Sequence, residues 1–586
     1  MARRRRSPSK ATAHRVPSRA ASDPTGPRDF PRDHGPDGPD PPSEMPTFKL
    51  NGQEIPFEPG DTIIRAAWRQ GIEIPHYCWH PGLSIAANCR MCLVHVTSGR
   101  QMAMPVLRWD EKKKEYVPDT KPKLVPACQT GAQADMEVDS VGPEVQQAQA
   151  HVQEFLLLNH PVDCPICDQA GECKLQDYYE EHQHTLKRKR TEPVHKPKGV
   201  RFGPTIVYDA ERCIMCTRCI RVCDELVGDH VLDMRERGNR NEIVLAPGRE
   251  LDHRYTLMTE HVCPVGALTS RDFRFKARVW FLKTVDGICT GCATGCNSHV
   301  DFDPRYGKVY RLRPRDNEQV NGFWMCDDGM MTYQEAHEHR VVTAVDGRGE
   351  DAEKLLQEEA TEELAARLKG LDAGSLAVVL SAHHASEDNF VLAEVAKALG
   401  VKHVYLAARE AEDIGWEGDD ILRHADPNPN RAGATAVAEA LLGEAPGDLE
   451  DLVGDVLAGQ VKSVLALGAI GGEKEGSLDA LKNLADVIVL TANEGPLPSV
   501  ASLTVPVASW AEMFGTFRNA KGLDQHFVRA IPSPEGIEPA WKTLVAAAQE
   551  LGLEGIAYAR TGEVRTAMND AAAPAAGDEA QASAPA

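Results

Sequence analysis

The stretch HPVDCPICDQAGEC, His160 to Cys173, sets three cysteines, Cys164, Cys167 and Cys173, close behind a histidine. A four-coordinate metal or cluster site needs four ligands. Either His160 is the fourth, or the fourth lies far away, or these are ordinary thiols. The use made of the other cysteines decides. All 16 lie between Cys78 and Cys326. A disulfide scaffold belongs to a short secreted chain with a signal peptide. This chain has 586 residues and no apolar h-region at its start. Its clustered C-x2-C spacings therefore read as metal or iron–sulfur ligation in a reducing compartment.

Three further groups account for the remaining cysteines. Cys78, Cys89, Cys92 and the later Cys128 follow C-x10-C-x2-C-x35-C, with a longer first gap than the plant-type ferredoxin C-x4-C-x2-C. A 2Fe–2S cluster needs four thiolates from one loop and a distant strand, which this spacing can supply; structural zinc is the alternative. RCIMCTRCIRVCDE carries Cys213, Cys216, Cys219 and Cys223, and HVCPVGAL brings Cys263 with Pro264 behind it. In two-cluster ferredoxins the fourth cysteine of such a run serves the other cluster. Counted back from Cys263, that cluster would need cysteines where His253, Thr256 and Thr259 stand, so the second half has lost its site. The set is then Cys213, Cys216, Cys219 and Cys263, a 4Fe–4S site, and Cys223 is spare. ICTGCATGC gives Cys289, Cys292 and Cys296, closed by Cys326 in GFWMCDDG, with glycines where the chain must turn tightly. Zinc stays open for this set as well.

All but one of the 16 cysteines, with His160, now form four sets of four. That closure favours His160 as a ligand over a helix cap, although three cysteines and a histidine also make an accepted zinc set. If the site is a 4Fe–4S cluster, imidazole removes one negative charge and should raise its potential, as in histidine-ligated Rieske centres.

The rest of the chain places these sites. Residues 1–44 are rich in Pro, Arg, Gly and Asp and read as a disordered extension, with Met45 as an alternative start. Arg3 to Arg6 suggest a nucleic-acid arm or a transit peptide, but the acidic, proline-rich half that follows weakens the transit reading. FKLNGQEIPFE is a hairpin about Asn51-Gly52, and Asp61 caps a helix, TIIRAAWRQG, that ends at Gly71. The spacing predicts a helix over 143–160 with Val145, Ala148, Val152, Phe155 and Leu156 on one side and His160 at its end. KRKR at 187–190 reads as a solvated loop between cluster domains. Beyond residue 340, SLAVVLSA, VKHVYLAA, VKSVLALGAI and DVIVLTAN alternate with helical segments such as NFVLAEVAKALG, the pattern of a parallel sheet covered on both faces. The expected architecture is multidomain α+β and α/β. It comprises a disordered 1–44, a ferredoxin-like 2Fe–2S domain at 45–140, a 4Fe–4S domain with one histidine and three cysteines at 141–182 and a ferredoxin-type 4Fe–4S domain at 195–278. A further 4Fe–4S domain follows at 280–337, an α/β domain at 338–565 and a disordered tail at 566–586. A net charge of -22 argues against a nucleic-acid binder. No apolar run approaches the roughly 20 residues that span a bilayer.

These motifs, in this order, resemble the large iron–sulfur subunit of NADH:quinone oxidoreductase, respiratory complex I, known in bacteria as its G subunit. The resemblance runs from about residue 46 to 337 and is most specific in HPVDCPICDQAGEC, RCIMCTRC and HVCPVGAL. It implies a histidine-ligated 4Fe–4S cluster on His160 and its three cysteines, and a 2Fe–2S cluster on Cys78, Cys89, Cys92 and Cys128. It also implies a bacterial source, because the Cys289 group matches an extra cluster of some bacterial members. The later part is similar to molybdopterin oxidoreductases: EMFGTFRNAKGLDQ, from Glu512, matches their E-x-x-G-T-x-x-N-x-x-G-R-x-Q segment with Leu523 in place of arginine. With no cysteine after Cys326, that region reads as a scaffold that has lost its cofactor, and no molybdopterin is expected.

The function implied is electron conduction, with no catalytic residue on this chain. A nicotinamide delivers hydride and a cluster accepts one electron at a time, so a flavin must stand between them. No G-x-G-x-x-G follows a strand here, so flavin and NADH are expected on a partner flavoprotein, with quinone-reducing subunits downstream. The expected location is the cytoplasmic side of the inner membrane, peripheral through partners and without insertion. The rivals are the cluster-bearing subunit of a formate dehydrogenase or hydrogenase, and a zinc-binding scaffold.

Overall fold

The computed structural model describes residues 45–98, 107–118, 124–182, 191–349, 352–470 and 476–572. The leader 1–44, the basic run 187–190 and the tail beyond 572 lie outside them. The chain forms two compact units: residues up to 74 with 92–145, and residues 75–91 with 146 onward.

In the first unit, strands Thr47–Leu50 and Gln53–Pro56 pair about Asn51-Gly52, both with positive φ (52° and 84°). That is the backbone a two-residue hairpin with the strands' own twist requires. Phe48, Leu50 and Ile55 point inward under a helix, Ile63–Arg69, which buries Ile63, Ile64, Ala66 and Ala67. The sheet has five strands in the order Gln53–Pro56, Thr47–Leu50, Glu137–Asp139, Leu93–Ser98, Leu124–Pro126. The helix is capped by Thr62, whose side chain accepts from Arg65 N, and not by Asp61. Asp61 is drawn away: its Oδ2 accepts from Glu58 N and from Arg69 Nη1, each at 2.9 Å. Thr62→Ala is expected to cost about 1 kcal/mol, read from the denaturant midpoint of the full chain.

Helix Pro143–Leu157 is shorter than expected, and its buried stripe differs. Phe155 is 72% exposed, while Val145, Gln149 and Gln153 are buried at i, i+4 spacing. Hydrogen bonds keep Gln153 satisfied inside: it accepts from Tyr77 Oη and donates to Leu175 O at 2.8 Å. Residues 75–91, which the sequence groups with the first ferredoxin-like segment, pack in the second unit. Tyr77, Cys78, Leu83 and Met91 share a core with Tyr178, Val222, Leu257 and Met325.

The second unit continues with a three-stranded sheet (Val200–Arg201, Ile206–Tyr208, Leu268–Ser270) and a ribbon (Leu232–Arg235, Glu242–Leu245). A second antiparallel sheet follows (Lys283–Ile288, Asn297–Asp303, Lys308–Pro314). Beyond these stands a seven-stranded sheet. Five of its strands are parallel, in the order Leu503–Pro506, Asp486–Thr491, Ser463–Leu467, Leu376–Ser381, His403–Ala407, and Ala344–Asp346 and Glu353–Leu355 add an antiparallel edge. Alternate side chains feed two separate cores. Val378, Leu380, Leu465 and Ile488 face one, and Ala377, Val379, Val464 and Val487 face the other. Burial on both faces is why these strands read as continuous apolar runs. The chain expected to lose order from 566 stays helical through Thr561–Ala572, anchored by buried Val564.

Candidate metal centres

The third set is built on the loop CIMCTRC. Met215 and Thr217 adopt left-handed φ (57° and 64°), curling the backbone so that Met215 N donates to Cys213 Sγ at 3.4 Å. Cys216 and Cys219 are buried, and Cys263 enters behind the helix Thr256–His261. The four sulfurs feel one another: burial pushes the Cys219 thiol far up, and the nearby charges of Cys216, Cys213 and Cys263 push it further. Thiols crowded without a counter-charge resist ionisation, and iron supplies that charge.

The spare Cys223 lies in a π-helical turn, Val222–Val227, with its sulfur 3.5 Å from His253 Nε2. These are two positions that the ferredoxin pattern would give to the lost cluster. His253 Nδ1 accepts from Tyr255 N, leaving Nε2 to carry the proton toward the sulfur. Burial pushes Cys223 up to about 12, so it stays a thiol.

The fourth set is the most enclosed, since Cys289, Cys292, Cys296 and Cys326 are all buried. Gly291 N donates to Cys289 Sγ and Gly329 N to Cys326 Sγ, each at 3.3 Å. A Cβ on Gly329 would lie 3.0 Å from Cys289 Sγ and 3.3 Å from Cys326 Sγ, so a side chain there would fill the cradle. Asp327, next to Cys326, accepts from Thr256 N and Leu257 N at 2.9 and 2.8 Å. It thereby ties this site to the helix that leads to Cys263.

In the second set, Cys164–Ile166 forms a 3-10 turn and Cys173 precedes the helix Lys174–Glu181. Cys164 is exposed, and Cys167 and Cys173 are half-buried. His160 lies beyond the helix end, and its Nδ1 is buried with no hydrogen-bond partner. A capping histidine would use that atom, whereas a metal ligand leaves it free for a metal. Burial, then Arg212, push its basicity down to about 4, so the ring is neutral as a ligand requires. The Arg212 charge also acts on Cys167, against the upward push of burial on that thiol. The loop is pinned by Arg212 and Lys198 on Asp163, by Arg278 Nη1 on Cys167 O at 2.8 Å, and by Phe275 N on Asp168 Oδ1 at 2.9 Å.

The first set divides between the units. Cys78 and Cys89 belong to the second, with Cys78 N donating to Cys89 Sγ at 3.5 Å. The bond between the two side chains favours one thiolate, holding Cys78 down at about 5. Cys92 and Cys128 belong to the first unit, next to adjacent strands, where Ala127 N donates to Cys92 O at 2.8 Å. Among the described residues, no three His, Cys, Asp or Glu side chains gather tightly enough to share one metal ion.

A cavity of about 660 Å³ lies at the carboxyl ends of the parallel strands, where His383, His384, Arg409, Gly468 and Asn493 leave the sheet. Its charged lining is mostly acidic (Asp328, Glu335, Glu338, Asp388, Glu494), a poor match for a pyrophosphate-bearing cofactor. Sequence reasoning marked the glycines of the fourth motif but missed the arginines beside the candidate ligands and the close approach of Gly266 to Cys167.

Four family models match the chain in succession. A "2Fe-2S iron-sulfur cluster binding domain" covers residues 43–143, and an "NADH-ubiquinone oxidoreductase-G iron-sulfur binding region" covers 149–188. An "NADH-quinone oxidoreductase subunit 3, ferredoxin-like domain" covers 203–269, and a "molybdopterin oxidoreductase Fe4S4 domain" covers 282–338. Subunit 3 of the NADH-quinone oxidoreductase of Thermus thermophilus is 32% identical over 63% of this chain and 48% of its own length. The G subunit of the same enzyme from Mycobacterium bovis is 33% identical over 62% and 43%. A solved chain of an NAD+-reducing nickel–iron hydrogenase aligns at 26% identity over 40% of this chain and 92% of its own, with a TM-score of 0.33. The chain spans about half the length of the curated relatives it matches. Among the described residues no helix is long and apolar enough to cross a membrane. Over the part that aligns, the chain is similar to the subunits of NADH-quinone oxidoreductase that are designated G or 3.

Proposed function

We propose that this chain is the iron–sulfur electron-transfer subunit of an NADH:quinone oxidoreductase. What supports the reading is the pattern of candidate ligands: one set of four buried thiols, one with two buried and two half-buried, three cysteines preceded by a histidine whose Nδ1 is buried and unpartnered, and a set in the segment matched by the 2Fe–2S model. Cys78, Cys89, Cys92 and Cys128 would hold a 2Fe–2S cluster. His160 with Cys164, Cys167 and Cys173 would hold a 4Fe–4S cluster. So would Cys213, Cys216, Cys219 and Cys263, and likewise Cys289, Cys292, Cys296 and Cys326. Such clusters, when bound, take up and release single electrons. The chain's own part is to shield the sulfurs from water and to hold the loops close. A partner flavoprotein would oxidise NADH, and partner subunits at the membrane would reduce quinone.

Metal analysis of anaerobically purified protein tests this. The expected result is about 14 irons per chain with matching acid-labile sulfide and no molybdenum. His160→Ala should lower the iron count or alter the paramagnetic spectrum of one four-iron centre alone. Zinc near four per chain would end the redox reading, and stoichiometric molybdenum would point to a formate dehydrogenase instead.

A further inference from the structure

Arg218 and Arg221 stand in the third motif, CTRCIRVC, between its cysteines. Arg221 is 8% exposed, and the Nε atoms of both arginines are buried without a hydrogen-bond partner. Their remaining donors all go to main-chain carbonyls. Arg218 reaches Val262 O at 3.2 Å and Trp79 O, and Arg221 reaches Ser84 O, Cys78 O and Cys216 O. Neither forms an ion pair with an Asp or Glu among the described residues. Arg221 is buried and Arg218 half-buried, each with its Nε shut off from water, and two such guanidinium groups without a carboxylate are costly unless negative charge is supplied nearby. The groups that act on Arg218 in that sense are Cys216, Cys78 and Cys263.

The geometry points to Arg218 and Arg221 as the fixed counter-charges of the iron–sulfur centre on Cys213, Cys216, Cys219 and Cys263, setting its reduction potential and linking it to Cys78 of the neighbouring centre. The inference rests on the proposed function. A cluster with four thiolates is anionic, and each electron it accepts adds one unit of negative charge. A buried cation favours that reduced state and so raises the potential. Carbonyl dipoles alone leave the guanidinium charge uncompensated, which is why a purely structural brace would not need arginine here. Arg221 touches the carbonyls of Cys78 and Cys216 together, so its charge acts on both ligand loops.

The test is a dithionite titration of the full chain, followed by electron paramagnetic resonance, in Arg221→Gln, Arg221→Lys, Arg218→Gln and Arg218→Lys. Glutamine keeps N–H donors and removes charge; lysine keeps charge. Each glutamine variant should lower the potential of this four-iron centre, by roughly tenfold in the reduction equilibrium, or about 59 mV for one electron, while each lysine variant stays near wild type. Loss of iron from the glutamine variants only would support the same role, since the charge would then be needed to retain the cluster. An iron-replete glutamine variant with an unmoved potential, or lysine variants that shift as far as glutamine, would overturn the inference and leave the proposed function standing. Wild-type protein without iron would overturn both.

Discussion

Arg311→Met is expected to destabilise the second unit by about 3–5 kcal/mol and to release iron from the site that contains Cys173. Arg311 is buried, and its guanidinium forks onto Glu172 (Nη1 to Oε1 3.0 Å, Nη2 to Oε2 2.7 Å), the residue before Cys173. Its Nε reaches Asp301 Oδ2 at 2.7 Å, its plane lies 4.3 Å from the Phe273 ring centre, and Glu260 adds a further carboxyl to its surroundings. A bidentate pair of this kind fixes orientation as well as charge. Removing the cation leaves the half-buried Glu172 without its fork and the buried Asp301 with Arg313 alone, and breaking a buried pair by removing one partner is costly. Burial alone would push Asp301 up, but Arg313 and Arg311 hold it well below the usual carboxylate range. A depressed carboxylate contributes stability that is full above its unfolded value near 3.8 and is lost as pH falls through the folded value. The gap between wild type and Arg311→Met should therefore be widest at neutral pH and narrow below about pH 4. Denaturant unfolding at pH 7 and near pH 2, with iron counted on the pH 7 samples, reads both effects. Arg311→Lys should recover part of the stability without the fork. A variant as stable as wild type, with its iron intact, would show that the cysteine loop is held by Arg278 and Arg212 alone.

The candidate ligands stand out in the sequence because metal chemistry imposes local spacing, and in the fold the loops CIMCTRC and CTGCATGC turn a backbone N–H onto Cys213 Sγ and Cys289 Sγ. The parallel sheet was legible because strands buried on both faces must be apolar throughout, as Leu376–Ser381 and Ser463–Leu467 are. Polar residues inside were not legible. Gln153 and Phe155 exchange the places that hydrophobicity assigns them, because Gln153 is satisfied by Tyr77 and Leu175, which lie far off in the chain. For the same reason Arg218, Arg221 and Arg311 read as ordinary charges; only long-range packing sets Arg218 and Arg221 on the carbonyls of Trp79, Cys78 and Val262, and Arg311 on Glu172 and Asp301. Asp61 misled at the helix start, since Arg69, two turns along, recruits the carboxylate that would otherwise cap. The packing of residues 75–91 with the second unit is likewise invisible locally, because Tyr77 and Cys78 meet their partners only across the fold.

Gly266→Ala should empty the site of His160, Cys164, Cys167 and Cys173 at a modest cost in folding stability. Gly266 follows Cys263 in CPVG, and a Cβ built on it would stand 2.2 Å from Cys167 Sγ and 3.1 Å from Gln169 Cβ. The loop of one site thus rests directly on a ligand of the next, with room for a hydrogen and nothing more. Cys167 is half-buried, and a side chain not held by a metal could swing aside, so the overpacking cost is about 1–3 kcal/mol. A sulfur bonded to iron has no such freedom. The steric demand then falls on the metal bond, and the four-iron centre is lost while the fold survives. Gly370→Ala is the control, since a Cβ there meets nothing within 4 Å. Iron counts and low-temperature paramagnetic spectra of the two variants separate the cases. The expected pattern is loss of about four irons, with the other centres unchanged, in Gly266→Ala alone. Full iron in that variant would mean that the two loops can part without cost, and the close contact of Gly266 with Cys167 could not then be what holds neighbouring centres within reach of each other.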